Sequence, residues 1–174
     1  FGYMDPMMKV AADTKDVKFE HGTGFKTADN MRTYDSRTYE GAYLAGVAAA
    51  KNTTTKTVGI VASAEALNWF LMAGGFAQGV YSVDPTINVV VAYVGPAGYG
   101  DSAGGNKVTA QVIAAGADVI FGMGDGATVG YLQAIETANV DYPISYIATI
   151  GDVTETVDNP DMVLTSVIWN LTHA

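Results

Sequence analysis

Gly100-Asp101-Ser102-Ala103-Gly104 sets a serine between two glycines, the Gly-x-Ser-x-Gly spacing that exposes a nucleophilic hydroxyl when it sits on a sharp strand-to-helix turn. His21-Gly22-Thr23-Gly24, upstream, has the look of an oxyanion loop, so ester hydrolysis by Ser102 is one chemistry to weigh. The surroundings oppose it. Gly95-Pro96-Ala97-Gly98-Tyr99 separates the preceding β-branched run from Gly100 and relaxes the turn, and the histidine that follows the serine is His173, one residue from the end. Ser102 is therefore expected to be a loop or helix-cap residue.

Two glycine-rich segments imitate phosphate cradles. Gly122-Met123-Gly124-Asp125-Gly126-Ala127 matches G-x-G-x-x-A, but it falls at the third visible βα unit rather than the first and has no strand-ending acid at the required distance. It is expected to be a flexible βα loop on the ligand-facing edge of a sheet. Gly100 to Lys107 misses the P-loop by one position, because Asn106 stands where the lysine belongs. Asp152, Glu155, Asp158 and Asp161 fit no calcium-loop spacing, and His21 and His173 form no ligand pair, so no metal and no cofactor is expected. Both histidines are read as solvent-facing loop residues.

Aromatic residues are more informative. Tyr99, Trp69, Phe70 and Trp169 fall at or near expected strand and helix ends, where open α/β sheets bind ligands, and flat rings there suit a flat ligand. Phe70 shares a helical face with Leu67 and Leu71 and is assigned to the core. Tyr99, in a glycine-rich loop, is open to either reading.

These residues are placed by an alternation of short β-branched runs with amphipathic segments, the pattern of a parallel sheet with helices on its faces. The runs are Thr57 to Ala62, Ile87 to Val94, Asp118 to Phe121 and Ile144 to Ile147, with a last strand in Met162 to Trp169. Gly116 stands where a helix must stop and turn into a strand, a place for a left-handed residue. The first fifty-odd residues read as a helix over 6–13, a strand over 17–20, a polar loop to Asn30 and a helix over 38–51. The last of these carries seven Gly and Ala positions and needs a close-packed partner. One strand and two helices do not make a sheet, so the first lobe is expected to be incomplete in this chain, with earlier strands upstream of Phe1.

Composition bounds the function. The 174 residues carry a formal charge of -9 and a sequence pI near 4.4, which excludes a phosphate-backbone surface and hence a nucleic-acid polymer as partner. A small neutral or cationic ligand is easier to accommodate. Each apolar segment is cut by Gly, Pro, Asp or Asn well short of membrane-spanning length. Cysteine is absent, and Phe1-Gly2-Tyr3-Met4-Asp5 has neither the basic start nor the apolar stretch of a signal peptide. The sequons at Asn52 and Asn170 are read as chance occurrences.

Several segments in order resemble the basic membrane protein family of ABC-transporter substrate-binding proteins. They include Phe1 to Asp5, Asp16-Val17-Lys18-Phe19-Glu20-His21, Tyr39-Glu40-Gly41-Ala42-Tyr43-Leu44-Ala45-Gly46 and Lys56-Thr57-Val58-Gly59-Ile60-Val61. Gly75-Phe76-Ala77-Gln78-Gly79, Gly116-Ala117-Asp118-Val119-Ile120-Phe121 and Leu164 to Asn170 continue the match. The resemblance implies an α/β, type I periplasmic-binding-protein-like fold of two parallel-sheet lobes around a cleft. It divides the chain into 1–56, part of the first lobe; 57–161, the second lobe; and 162–174, a crossing strand returning toward the first.

The resemblance further implies a binding protein without catalysis, which captures a purine nucleoside or purine base between its lobes and hands it to an ABC permease. The location it implies is extracytoplasmic, periplasmic or at the cell surface, with a lipid anchor through a missing N-terminus. Carried over by position, Tyr99, Asp101, Asp125, Asp152 and Trp169 become the ligand-binding residues, rings for stacking and carboxylates for hydroxyls or amines. The alternatives are an α/β-hydrolase-type esterase using Ser102 and a small-ligand effector domain of a regulator or receptor.

Overall fold

The computed structural model describes residues 3–170. They divide into two units, one comprising residues 3–37 with Asn170 and the other Thr38–Trp169.

In the smaller unit, α1 (Met4–Asp13) precedes β1 (Phe19–Gly22) and β2 (Met31–Tyr34), which pair in parallel. Met4, Ala11 and Met31 form its small apolar core, and the Asn30 amide donates to the Ala11, Thr14 and Val17 carbonyls to hold the connecting loop. The polar loop expected up to Asn30 thus ends in a second strand. His21 also departs from expectation: it is buried in β1, and its Nδ1–H donates to the Gly22 carbonyl at 2.7 Å. Strand alternation turns it inward along with Phe19. His173 lies outside the described residues, as do Phe1 and most of the second sequon.

The larger unit is a five-stranded parallel sheet in the order β4-β3-β5-β6-β7, formed by β3 (Thr57–Ala62), β4 (Asn88–Tyr93), β5 (Val119–Met123), β6 (Ser145–Ile150) and β7 (Val163–Ile168). Helices α2 (Thr38–Asn52) and α3 (Leu67–Val83) pack together, as do α4 (Ser102–Ala114) and α5 (Ala127–Glu136). No helix among the described residues is long and apolar enough to cross a membrane.

The small residues of α2 find their partner in α3. A methyl group built on Gly46 would lie 2.1 Å from the Phe76 carbonyl oxygen, and one on Gly79 2.0 Å from that of Tyr43, so the two backbones touch. Phe76 then reaches the sheet and stacks on Phe121 with centroids 4.7 Å apart and planes 4° from parallel. A second core of Val108, Val112, Ile120, Tyr131 and Tyr146 packs α4 and α5 against the sheet. Gly116 ends the α4 segment at φ +96°, the left-handed turn its position demands.

The structure groups the chain differently from the sequence boundaries at 56/57 and 161/162. Helix α2 groups with the larger sheet through α3 and β7, and β7 pairs in parallel with β6. The face of α3 is also corrected. Phe70, Leu67 and Leu71 are all exposed, while Trp69, Met72, Phe76 and Val80 are buried. A helix this apolar offers two candidate stripes, and packing against α2 selects the one carrying the glycines.

Candidate ligand-binding edge

All five strands of the larger sheet run the same way, so their carboxyl ends share one edge. Sequence order places β3 first, with β4 on one side of it and β5, β6 and β7 on the other; the direction in which successive strands are added therefore reverses between β3 and β5. Loops diverge at such a switch point and leave a crevice, the usual ligand site of open α/β sheets. Ser63, wholly buried just past β3, closes its base by donating its backbone N–H to the Met123 carbonyl at 2.8 Å.

The five residues singled out from sequence fall on this edge in two groups. Tyr99 and Asp125 occupy the loops after β4 and β5, which meet where the Ala127 N–H donates to the Tyr99 carbonyl at 3.0 Å. Partial burial raises the Tyr99 phenol above its ordinary pKa, and the nearby Asp125 charge adds to the effect. Asp125 is exposed, yet loss of solvent on its protein side raises its carboxyl as well. Asp101 caps α4, its Oδ1 accepting the Gly104 N–H at 2.8 Å. That role is structural and leaves the side chain outward, so Asp101 fixes the loop that carries Tyr99.

Asp152 and Trp169 form the second group, after β6 and β7. The Asp152 carboxylate accepts from the Thr154 hydroxyl at 2.8 Å, the Thr154 N–H at 3.1 Å and the Ser166 hydroxyl at 3.2 Å; the Thr154 bonds hold its pKa below the ordinary value. Just before it, Ile150 adopts φ +72°, a costly conformation for a β-branched residue, and its carbonyl accepts the Trp169 N–H at 3.0 Å. Strain of this kind gathers at functional edges. Trp169 meets Trp69, from the first turn of α3, with ring centroids 5.7 Å apart.

Sequence reasoning left Asn68 unremarked, although an amide at the start of an apolar helix was a visible signal. It is buried beside Trp69, and neither of its amide atoms has a hydrogen-bond partner.

Ser102 is the first residue of α4, behind the Asp101 cap, and has no strained turn of its own: the non-glycine residues with positive φ among those described are Thr23, Lys56 and Ile150. A methyl on Gly130 would lie 1.9 Å from the Ser102 carbonyl oxygen, and one on Gly104 2.4 Å from an Asp101 carboxylate oxygen. Gly104 and Gly130 thus serve capping and helix contact, and Ser102 sits on no nucleophile elbow.

A parallel sheet of this order, with rings and carboxylates on its carboxyl edge, is the architecture of the periplasmic-binding-protein class. A solute-binding protein of an ABC transporter system from Aeropyrum pernix superposes with a TM-score of 0.74, at 23% identity over 87% of this chain and 44% of that one. The chain belongs to the family of PnrA-like ABC transporter substrate-binding proteins, whose model matches residues 1–174. A purine-binding protein of Brucella abortus is 47% identical over 94 residues, 54% of this chain and 27% of that protein. TsgA13 of Haloferax volcanii, whose name assigns it to glucose binding for an ABC transporter, is 42% identical over 94 residues, 54% of this chain and 24% of its own length. The nucleoside-binding protein BmpA of Lactococcus lactis is 32% identical over 100 residues, covering 58% and 28% of the two chains. The matched segments thus cover about a quarter of the length of these three relatives.

Proposed function

We propose that the protein captures a purine base or purine nucleoside at the carboxyl edge of the larger sheet and presents it, outside the cytoplasm, to the permease of an ABC importer. The observation that carries this reading is the conjunction on one edge of flat rings, Tyr99 and the Trp69–Trp169 pair, with two carboxylates, Asp125 and Asp152. Rings hold a planar heterocycle by stacking, and carboxylates reward ribose hydroxyls or exocyclic amines with charge-assisted bonds. The purine-binding relative favours the same ligand class. Asp101 contributes by capping α4 and so fixing the Tyr99 loop.

The TsgA13 relative makes a hexose the competing ligand. Calorimetry on the full-length protein with adenosine, guanosine, inosine, adenine and a panel of sugars decides between them. A purine binding in the micromolar range or tighter is the expected result, and a sugar binding with no purine overturns the proposal.

A further inference from the structure

Asn68 occupies the first turn of α3 and is 5% exposed, yet neither its Nδ2 nor its Oδ1 has a hydrogen-bond partner. The indole N–H groups of Trp69 and Trp169 are buried and unpartnered as well. With the Ser63 hydroxyl, one residue past β3, these make up five of the seven buried side-chain polar atoms in that condition among the described residues, and all five belong to the exits of β3 and β7. Buried polar groups are paired almost without exception, so such a gathering on a ligand edge marks bonds completed by what binds there. The α3 terminus contributes in the same sense. Ala66 provides no side-chain cap, and the backbone N–H groups of the first turn have no acceptor within the helix.

The balance of these groups is uneven. Three groups can only donate, Asn68 Nδ2 and the two indole nitrogens, and one can only accept, Asn68 Oδ1, while the Ser63 hydroxyl can do either. We infer that this cluster reads the polar edge of the bound base and selects a 6-oxopurine over a 6-aminopurine, an inference that rests on the purine reading above. The oxygen at position 6 accepts from the Asn68 amide and from an indole N–H, while the adjacent ring N–H donates to Asn68 Oδ1. A 6-aminopurine turns this around. It can still pair with the Asn68 amide, its amine donating to Oδ1 and its ring N1 accepting from Nδ2, but it has no acceptor at position 6, so its amine faces an indole N–H donor. Sites built to satisfy buried polar groups reject analogues that leave them unpaired.

The test titrates the full-length protein with inosine, adenosine, hypoxanthine and adenine, read by calorimetry. The 6-oxo member of each pair is expected to bind at least about tenfold tighter. Asn68→Asp, ionised, replaces the amide donor with an acceptor, so the inosine-to-adenosine ratio should collapse or invert. An unaltered protein that binds both members of a pair equally, or prefers the amine, overturns the inference without any variant. A folded Asn68→Asp protein with an unchanged ratio does the same. Absence of all purine binding would sink the purine reading itself, whereas purine binding without the 6-oxo preference removes only the present inference.

Discussion

Trp69 and Trp169, the two tryptophans of the chain, meet at the carboxyl edge of the larger sheet with ring centroids 5.7 Å apart and planes tilted by 45°. One opens α3 and the other leaves β7, so the contact ties the helix after the first strand of the sheet to the exit of the last. A tilted pair leaves part of each ring face free for a third ring, which offset and edge-to-face aromatic geometries accommodate.

Ligand stacking on this pair should therefore show in indole emission. Trp169→Phe and Trp69→Phe should each keep the fold while reducing the emission change on purine binding. Trp169→Ala should weaken purine affinity by about 1–3 kcal/mol, roughly 5- to 150-fold, the cost of removing one stacking platform. An unchanged purine affinity in both Trp169→Ala and Trp69→Ala would separate the pair from the site.

The α2–α3 crossing makes a prediction about stability alone. Gly79→Ala drives a methyl against the Tyr43 carbonyl, where 2.0 Å is available, and should destabilise by about 1–3 kcal/mol or more as the helices part. Gly74→Ala, on the same helix, meets nothing within 4 Å and should stabilise by about 0.5–1 kcal/mol through helix propensity. Urea denaturation of the two variants should shift the midpoint in opposite directions.

Asp118 joins the loop after α2 to the head of β5. Although burial opposes its ionisation, the Thr53 and Thr54 hydroxyls and the Thr54 and Thr55 N–H groups all donate to it and hold its pKa below 3.8. A folded-state pKa below the unfolded one means the contribution is fully present above the ordinary carboxylate range and is lost as pH falls through that range to the folded value. Asp118→Asn should cost about 1.5–3 kcal/mol at neutral pH, the scale for hydrogen bonds to a charge, and the deficit should shrink below about pH 4. A deficit that is constant with pH would show the charge to be irrelevant.

Much of this arrangement is legible in the sequence because a parallel sheet buries nearly continuous β-branched runs. Thr57 to Ala62 is recovered end to end, and the other strands of the larger sheet to within a few residues. What escapes does so for physical reasons. Met31-Arg32-Thr33-Tyr34 is a short strand with a single apolar inward position, too little alternation to announce itself. The register of α3 is invisible because Leu-Asn-Trp-Phe-Leu-Met is apolar nearly all round, and the glycines that choose its buried face act through α2. Asp101 reads as a site residue until the Gly104 N–H is seen on its carboxylate. Asn68 has no motif at all; only its burial without partners singles it out.

The two carboxylates of the edge are set apart by their surroundings, and pH should distinguish their roles. Burial on one side raises the pKa of Asp125, whereas the Thr154 and Ser166 bonds lower that of Asp152. On acidification Asp125 is therefore the first to gain a proton and lose its capacity as a charged acceptor, while Asp152 stays ionised to lower pH. If Asp125 accepts a bond from the ligand, purine affinity should begin to fall above the ordinary aspartate value of 3.8, on the acid side of neutrality. Asp125→Asn should weaken binding at neutral pH and flatten that dependence, because an amide does not titrate. Asp152→Asn should preserve the Asp125-dependent fall and reduce affinity for a nucleoside more than for its free base, as expected of a group that receives ribose hydroxyls. Calorimetry from neutral pH down toward the ordinary carboxylate range, with inosine and hypoxanthine, measures both effects. A pH dependence retained in Asp125→Asn would move the titrating group elsewhere, and equal losses for base and nucleoside in Asp152→Asn would take Asp152 away from the sugar.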